Sequence, residues 1–210
     1  MKIWTFEGGF DNNFTYLFSD GDSPEAAIVD ASVPLNSLKS TIDKNSLTPS
    51  KLLVTHTHFD HTAHLDEYIS AYPKAEVCAM ESSNRWENEK SLSDGDTFHV
   101  GGLNIKAIHT PGHTQDSTCF HVKDALFSGD TIFVGRTGRT IGAGSNARQL
   151  YRSLSKKLLN LNGETKIYPG HDYGYVKNIP LKENIEMSPL LQATDEEDFV
   201  KRMEEYERSR

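Results

Sequence analysis

Apolar and polar positions alternate in short runs through the first 30 residues. Segments 2–6, 14–18 and 26–29 are apolar or alternating. Between them lie the turn clusters Gly8-Gly9 with Asp11-Asn12-Asn13, then Asp20-Gly21-Asp22-Ser23-Pro24. The pattern predicts three strands. A weaker helical pattern covers about 35–45, and Lys51-Leu52-Leu53-Val54 is a compact buried-strand signal. From His61 the period lengthens. His61, Leu65, Tyr68, Ile69 and Tyr72 fall at helical spacing and stop before Pro73, which predicts one helix over 61–72. Segments 97–100, 103–109, 117–122 and 125–128 predict a β-rich middle. Leu150, Leu154 and Leu158, four apart, predict a second helix. Residues 166–168 predict a further strand. Segment 196–207 predicts an amphipathic helix carrying Phe199, Val200 and Met203. Strands and helices interleave twice, so the expected class is α/β, with two packed sheets and helices outside them.

The length of 210 residues fits one domain with a sizeable core. Hydrophobic residues at 36% and charged residues at 25% exclude a disordered or fibrous chain. A net charge of -8 argues against nucleic acid or an anionic membrane as partner. Much of the acid lies in 194–207, which reads as a solvated helix face. No apolar run approaches the roughly 20 residues that span a bilayer, and the start has no signal-peptide core, so the expectation is a soluble, cytoplasmic protein. Cys78 and Cys119 form no C-x-x-C pair and read as small buried apolar residues.

The segment that carries chemistry is Thr55-His56-Thr57-His58-Phe59-Asp60-His61. It follows a predicted strand and precedes a predicted helix. In extended chain, His56 and His58 point to the same side and can reach one metal. Asp60 and His61 lie where the chain turns into the helix, so their side chains leave in a new direction and can reach a second ion. Imidazole and carboxylate suit zinc, iron or manganese. Three more candidates stand after predicted strands: His113 in Thr110-Pro111-Gly112-His113-Thr114, Asp130 in Ser128-Gly129-Asp130-Thr131, and His171 in Pro169-Gly170-His171-Asp172. Each follows a glycine, which is expected to let the backbone turn sharply there. Together the seven residues supply enough N and O donors for two ions with open positions.

In these motifs the chain resembles the metallo-β-lactamase superfamily, whose ordered elements match Asp30, His56-x-His58-x-Asp60-His61, His113, Asp130 and His171. The resemblance implies a four-layer αββα sandwich over 1–210 with metals at one edge of the sheets. Within that family the chain looks most like glyoxalase II, the hydroxyacylglutathione hydrolases. The segments Gly129-Asp130-Thr131-Ile132-Phe133-Val134-Gly135 and Ile167-Tyr168-Pro169-Gly170-His171-Asp172-Tyr173-Gly174 carry that likeness. It implies that Arg139 and Tyr173 contact a glutathione-derived substrate. The family's Gly-Cys-Gly before the basic residue reads Arg136-Thr137-Gly138 here, its second tyrosine is Ile141, and its Gly-Gly after the first motif is Ala63-His64. Its helical C-terminal domain is cut down to 178–210, a short extension expected to pack on the domain.

The resemblance implies two divalent ions, with zinc expected and iron or manganese as alternatives. His56, His58 and His113 would hold one, and Asp60, His61 and His171 the other. Asp130 would bridge, Asp60 and Asp130 would be the catalytic carboxylates, and Asp30 would orient a ligand from behind. The implied reaction is thioester hydrolysis by a metal-bridging hydroxide. Two alternatives remain. One is a mononuclear-iron persulfide dioxygenase using His56, His113 and Asp130, a family similar around His171-Asp172-Tyr173 and in Glu197-Asp198-Phe199-Val200. The other is a lactone or ester hydrolase of the same fold. His64, His99, His109 and His121 lack motif context and are expected outside the site.

Overall fold

The computed structural model describes residues 1–80, 85–86 and 88–209. Strands β1 (Lys2–Gly8), β2 (Asn13–Ser19) and β3 (Glu25–Val29) form an antiparallel meander. Helix α1 (Asn36–Lys44) then crosses to β4 (Thr48–Leu53), which lies parallel to β3. Helices α2 (Phe59–Thr62) and α3 (Leu65–Ala71) lead to β5 (Glu76–Met80) and β6 (Glu89–Leu92), both parallel additions. These six strands make the first sheet in sequence order. The second sheet starts with antiparallel β7 (Thr97–Val100), β8 (Leu103–His109), β9 (Thr118–Val122) and β10 (Ala125–Gly129). A small hairpin, β11 (Ile132–Phe133) and β12 (Arg136–Thr137), precedes helix α4 (Ala147–Ser153), which runs on into a π-helical turn at Leu154–Leu158. Strand β13 (Lys166–Pro169) pairs parallel with β10, and β14 (Ile179–Pro180) closes the edge. Helices α5 (Leu181–Met187) and α6 (Glu196–Arg208) end the described chain.

The period-2 pattern explains the layers. In β2, Phe14, Tyr16 and Phe18 face Phe98, Ile105, Phe120 and Phe127 of the other sheet, and this forms the central core. The opposite face of the first sheet, with Leu17, Ile28, Leu52 and Val77, packs on Leu38 and Ile42 of α1 and Leu65 and Tyr68 of α3. The outer face of the second sheet, with Ile108, Leu126 and Ile167, packs on Leu150, Leu154, Leu181, Phe199 and Met203. The result is the expected αββα sandwich. Both faces of each sheet are covered, which is why β2 and β10 are buried along their whole length.

Three expectations change. The single helix over 61–72 is two helices. His64 leaves helical conformation at φ -113°, ψ 9°, and its N–H donates to the Ala31 carbonyl at 3.0 Å. A tertiary hydrogen bond thus replaces an intrahelical one. Strands β5 and β6 and helix α5 carry too short a pattern to read: β6 is Glu-Lys-Ser-Leu with only Leu92 buried. The acidic face of α6 is also not merely solvated. Glu196 accepts from Arg148 and Arg152, and Glu207 Oε1 accepts from Thr140 N and Oγ1. Burial of Phe199 and Met203 against α4 brings these groups together. Phe199 is fully buried and packs on Tyr151 at 5.6 Å between ring centroids. Phe199→Ala is therefore expected to cost about 3–5 kcal/mol in denaturant unfolding. A loss under about 1 kcal/mol would show that α6 is not part of the cooperative unit. Both cysteines are buried, and burial pushes the Cys78 thiol up to about 12 and the Cys119 thiol to about 11. Among the described residues no helix is long and apolar enough to cross a membrane.

Candidate metal centre

All seven predicted donors meet at one end of the sandwich. Asp30 follows β3, His56 and His58 follow β4, His113 follows β8, Asp130 follows β10 and His171 follows β13. The turn between β1 and β2 lies at the same end, because Asn13 bridges to His171. His56, His58 and His113 place one donor atom each within 4.8 Å of one another, and so do Asp60, His61 and His171. A third such group, His56, His61 and Asp130, overlaps both. Asp130 stands between the two trios: its Oδ2 is 3.5 Å from His113 Nε2 and 3.4 Å from His171 Nε2. Among the described residues, groups able to hold an ion use only these seven.

Four of the five imidazoles are aimed from behind, and His58 turns its Nδ1 inward instead. His61 Nδ1 lies 2.8 Å from Asp30 Oδ2, His113 Nδ1 lies 2.8 Å from the Arg139 carbonyl, and His171 Nδ1 lies 2.7 Å from the Asp11 carbonyl. His56 Nδ1 lies 3.1 Å from Thr55 Oγ1, which itself donates to Asp30 Oδ2 at 2.7 Å. Asp30 also accepts from Thr55 N at 2.8 Å. One buried carboxylate therefore orients a histidine in each trio. Anchoring Nδ1 leaves Nε2 facing the centre in all four rings. On the other side, Asn13 Nδ2 donates to Asp60 Oδ2 at 2.8 Å.

The inward nitrogens crowd one another. His56 Nε2 is 2.9 Å and His113 Nε2 is 3.1 Å from His58 Nδ1, and His61 Nε2 is 3.2 Å from His171 Nε2. With Nδ1 anchored behind, the Nε2 atoms of neutral rings present lone pairs to one another, which is unfavourable unless cations lie among them. The electrostatics agree. Burial, reinforced by His61, holds His56 well below the usual imidazole range. Burial opposes charge on His61, but Asp130 and Asp30 outweigh it and raise its pKa. Burial likewise opposes charge on His171, yet Asp130 and Asp60 lift it to about 10. Burial should raise Asp130, but the facing histidines drive it well below the carboxylate range. The carboxylates thus draw positive charge into a site with no lysine or arginine among its seven residues. Asp130 Oδ1 is buried without a hydrogen bond, with His61 Nε2 the near neighbour at 3.3 Å. An orphaned acceptor amid converging imidazoles fits divalent ions.

The glycines act differently from expectation. Gly112 and Gly129 do have positive φ, 147° and 47°. Gly170 does not. A Cβ there would fall on Asp130 Oδ1 and lie 2.7 Å from His61 Cε1, so glycine at 170 makes room for the cluster. Gly138 was not anticipated at all, and a Cβ there would fall on the Asp130 carbonyl oxygen.

A cavity of about 350 Å³ opens onto the centre, lined by Asp11, His113, Asp130, Arg136, Arg139, Tyr173 and Tyr206. Arg139 is exposed there. The Tyr173 hydroxyl donates to Asp11 Oδ2, and its ring stacks on His171 at 4.7 Å and 7°. Burial and then that hydrogen bond raise the Tyr173 pKa. Arg136 donates to the Tyr173 carbonyl at 3.0 Å and lies over its ring. Sequence reasoning missed Asp11, Asn13, Thr55, Arg136 and Tyr206. His109 Nε2 donates to the Gln115 carbonyl at 2.7 Å and His64 Nδ1 lies 3.6 Å from Glu67 Oε2, both apart from the seven.

A family model described as the metallo-beta-lactamase superfamily matches residues 8–171. The chain is 32% identical over 201 residues to a probable hydroxyacylglutathione hydrolase, glo2, of Schizosaccharomyces pombe, covering 92% of this chain and 74% of that protein. It is 29% identical over 198 residues to the probable polyketide biosynthesis zinc-dependent hydrolase BaeB of Bacillus velezensis, covering 90% and 86%. The crystal structure of ETHE1 from Myxococcus xanthus superposes with a TM-score of 0.89 at 29% identity, covering 97% and 90%.

Proposed function

The chain belongs to the metallo-β-lactamase superfamily, and on that premise we propose that it is a dinuclear metallohydrolase acting on thioesters of the hydroxyacylglutathione type. The observation that carries this reading is the pair of donor trios sharing Asp130. His56, His58 and His113 would hold one ion, and Asp60, His61 and His171 the other. The mixed N and O donors favour zinc, with iron or manganese also suited. Bound there, such ions polarise a carbonyl and bring the pKa of a bound water to about 7.

The chain's own residues set the geometry. Asp30, Thr55 and the carbonyls of Asp11 and Arg139 hold the imidazoles in one tautomer and direction. Asn13 keeps Asp60 turned inward. A thiolate leaving group needs no proton from a general acid, which suits a centre whose carboxylates are held ionised. Arg139, and beside it Arg136, offer guanidinium groups to a carboxylate on the thiol portion.

Metal analysis of the purified protein, run with a panel of thioesters and lactones that includes S-lactoylglutathione, tests the reading. Close to two ions per chain and thioester turnover are expected; turnover of lactones alone would overturn the thioester assignment. Arg139→Ala should raise KM with little change in kcat, by about 1.5–3 kcal/mol in kcat/KM, as for a hydrogen bond to a charged group. An unchanged KM for glutathione thioesters would remove Arg139 from the binding site. A second reading, an iron persulfide dioxygenase with one ion on His56, His113 and Asp130, is favoured by the likeness to ETHE1 over nearly the full length of both chains. One iron per chain, unaffected by His171→Ala, with sulfite formed from glutathione persulfide, would establish it instead.

A further inference from the structure

Two phenylalanines stand exposed beside the metal centre. Phe10 and Phe59 are each 67% exposed, and their rings meet at 5.0 Å between centroids, tilted by 57°. Neither belongs to any of the three core clusters. Their positions in the chain place them at the rim. Phe59 lies between His58 and Asp60, and Phe10 precedes Asp11, whose carbonyl anchors His171. The two segments are tied by Asn13. Its Oδ1 accepts from Phe10 N and Asp11 N, both at 3.2 Å, while its Nδ2 holds Asp60. The aromatic pair is thus fixed relative to the ligands by the same side chain that orients one of them.

Folding gains little from two large rings left in water, whereas an apolar ligand gains by covering them. The centre has a second, contrasting border. Arg136 and Arg139 line the cavity reached past His113 and Asp130, and neither phenylalanine lines that cavity. A scissile carbonyl at the centre would therefore have an apolar lip at the His58–Asp60 segment, while the cavity past His113 offers two guanidinium groups among Asp11 and two tyrosines. A thioester divides in the same way, with an acyl group on one side of the bond and a thiol carrier on the other.

We infer that Phe10 and Phe59 form an acyl-binding lip, so that among thioesters on an anionic thiol carrier those with a longer apolar acyl chain are preferred. This rests on the hydrolase reading above and narrows its substrate class. The two residues select substrate and take no part in bond cleavage.

The test measures binding of S-methyl-, S-butyl- and S-octylglutathione, thioethers that cannot be hydrolysed, by calorimetry on the metal-replete protein. Affinity should rise on the order of tenfold or more from S-methyl to S-butyl, given the gain per buried methylene. In the Phe10→Ala/Phe59→Ala variant the rise should collapse, and Phe10→Leu/Phe59→Leu should restore most of it. Metal content and circular dichroism check that the variants keep the centre and the fold. A flat series in the unmodified protein, or an undiminished rise in the alanine variant, overturns the lip. Hydrolysis of N-acetylcysteamine thioesters from acetyl to octanoyl is followed in parallel. Their kcat/KM should climb with acyl length in the unmodified protein, and the climb should flatten in the alanine variant. Failure to hydrolyse any thioester while the binding series still climbs would sink the hydrolase reading and leave the lip standing. Length-independent hydrolysis with a flat binding series would do the reverse.

Discussion

Asp130→Asn is expected to lose more than about 100-fold in kcat, beyond the range of about 10–100-fold seen when only a group behind a metal ligand is lost. The reason is its place between the trios. Its Oδ2 faces His113 and His171, and its Oδ1 faces His61 and is otherwise unpaired. An amide keeps the shape but removes the negative charge and turns an NH2 toward groups that must accept a cation. Metal content should fall in the same variant. Asp30→Asn is the informative comparison. It is only 3% exposed and touches no open face of the centre, but it orients His61 directly and His56 through Thr55. Its loss should be about 10–100-fold, accompanied by lower stability because buried donors on Thr55 and His61 lose their acceptor. Equal losses in both variants, with equal metal content, would show that Asp130 does not occupy the shared position.

Gly138→Ala should damage both the fold and the centre. The added Cβ would fall on the Asp130 carbonyl oxygen and come within 3.1 Å of His113 Nδ1. The first neighbour is backbone and cannot rotate away. Either the Asp130 turn moves, or the loop that supplies the Arg139 carbonyl to His113 lifts off. Overpacking of this kind costs about 1–3 kcal/mol or more in stability, and here it should also displace His113 and reduce metal binding. Gly142→Ala is the control on the same loop: a Cβ there meets nothing within 4 Å, so stability should change by no more than about 0.5 kcal/mol. Denaturant unfolding and metal analysis of both variants measure the effect. A Gly138→Ala protein as stable and as metal-replete as the control would mean that the loop does not pack on Asp130.

Legibility differed by kind of group. The strands flanking the site read clearly because each has a face in a core, so a period of two was imposed on Phe14, Tyr16 and Phe18 and on Leu103, Ile105 and Ala107. Strand β6 was silent because one buried residue makes no period. The break between α2 and α3 was silent too, since its cause is a carbonyl on Ala31, far away in the chain. Among site residues, the histidines and aspartates announce themselves by type and spacing. The groups that aim them do not. The carbonyls of Asp11 and Arg139 have no side-chain signature, and Asn13 stands in a turn where asparagine is ordinary. The signal available for that turn was its three consecutive polar residues before the largely apolar run 14–18, and Asn12 does adopt positive φ, at 52°.

By itself the sequence determined which donors exist, the order in which strands deliver them and an α/β class of two packed sheets with helices outside, because ligand chemistry and core periodicity are properties of side chains at fixed spacing; the αββα sandwich was what the family resemblance implied. The resemblance already implied a bridging Asp130 and an orienting Asp30; only the tertiary structure decided that Asp30 serves a histidine in each trio, that Gly170 and Gly138 are there for room, and that Phe10 meets Phe59. Those are distances between residues tens of positions apart, set by how two sheets pack and where their strands end, and no local pattern along the chain encodes them.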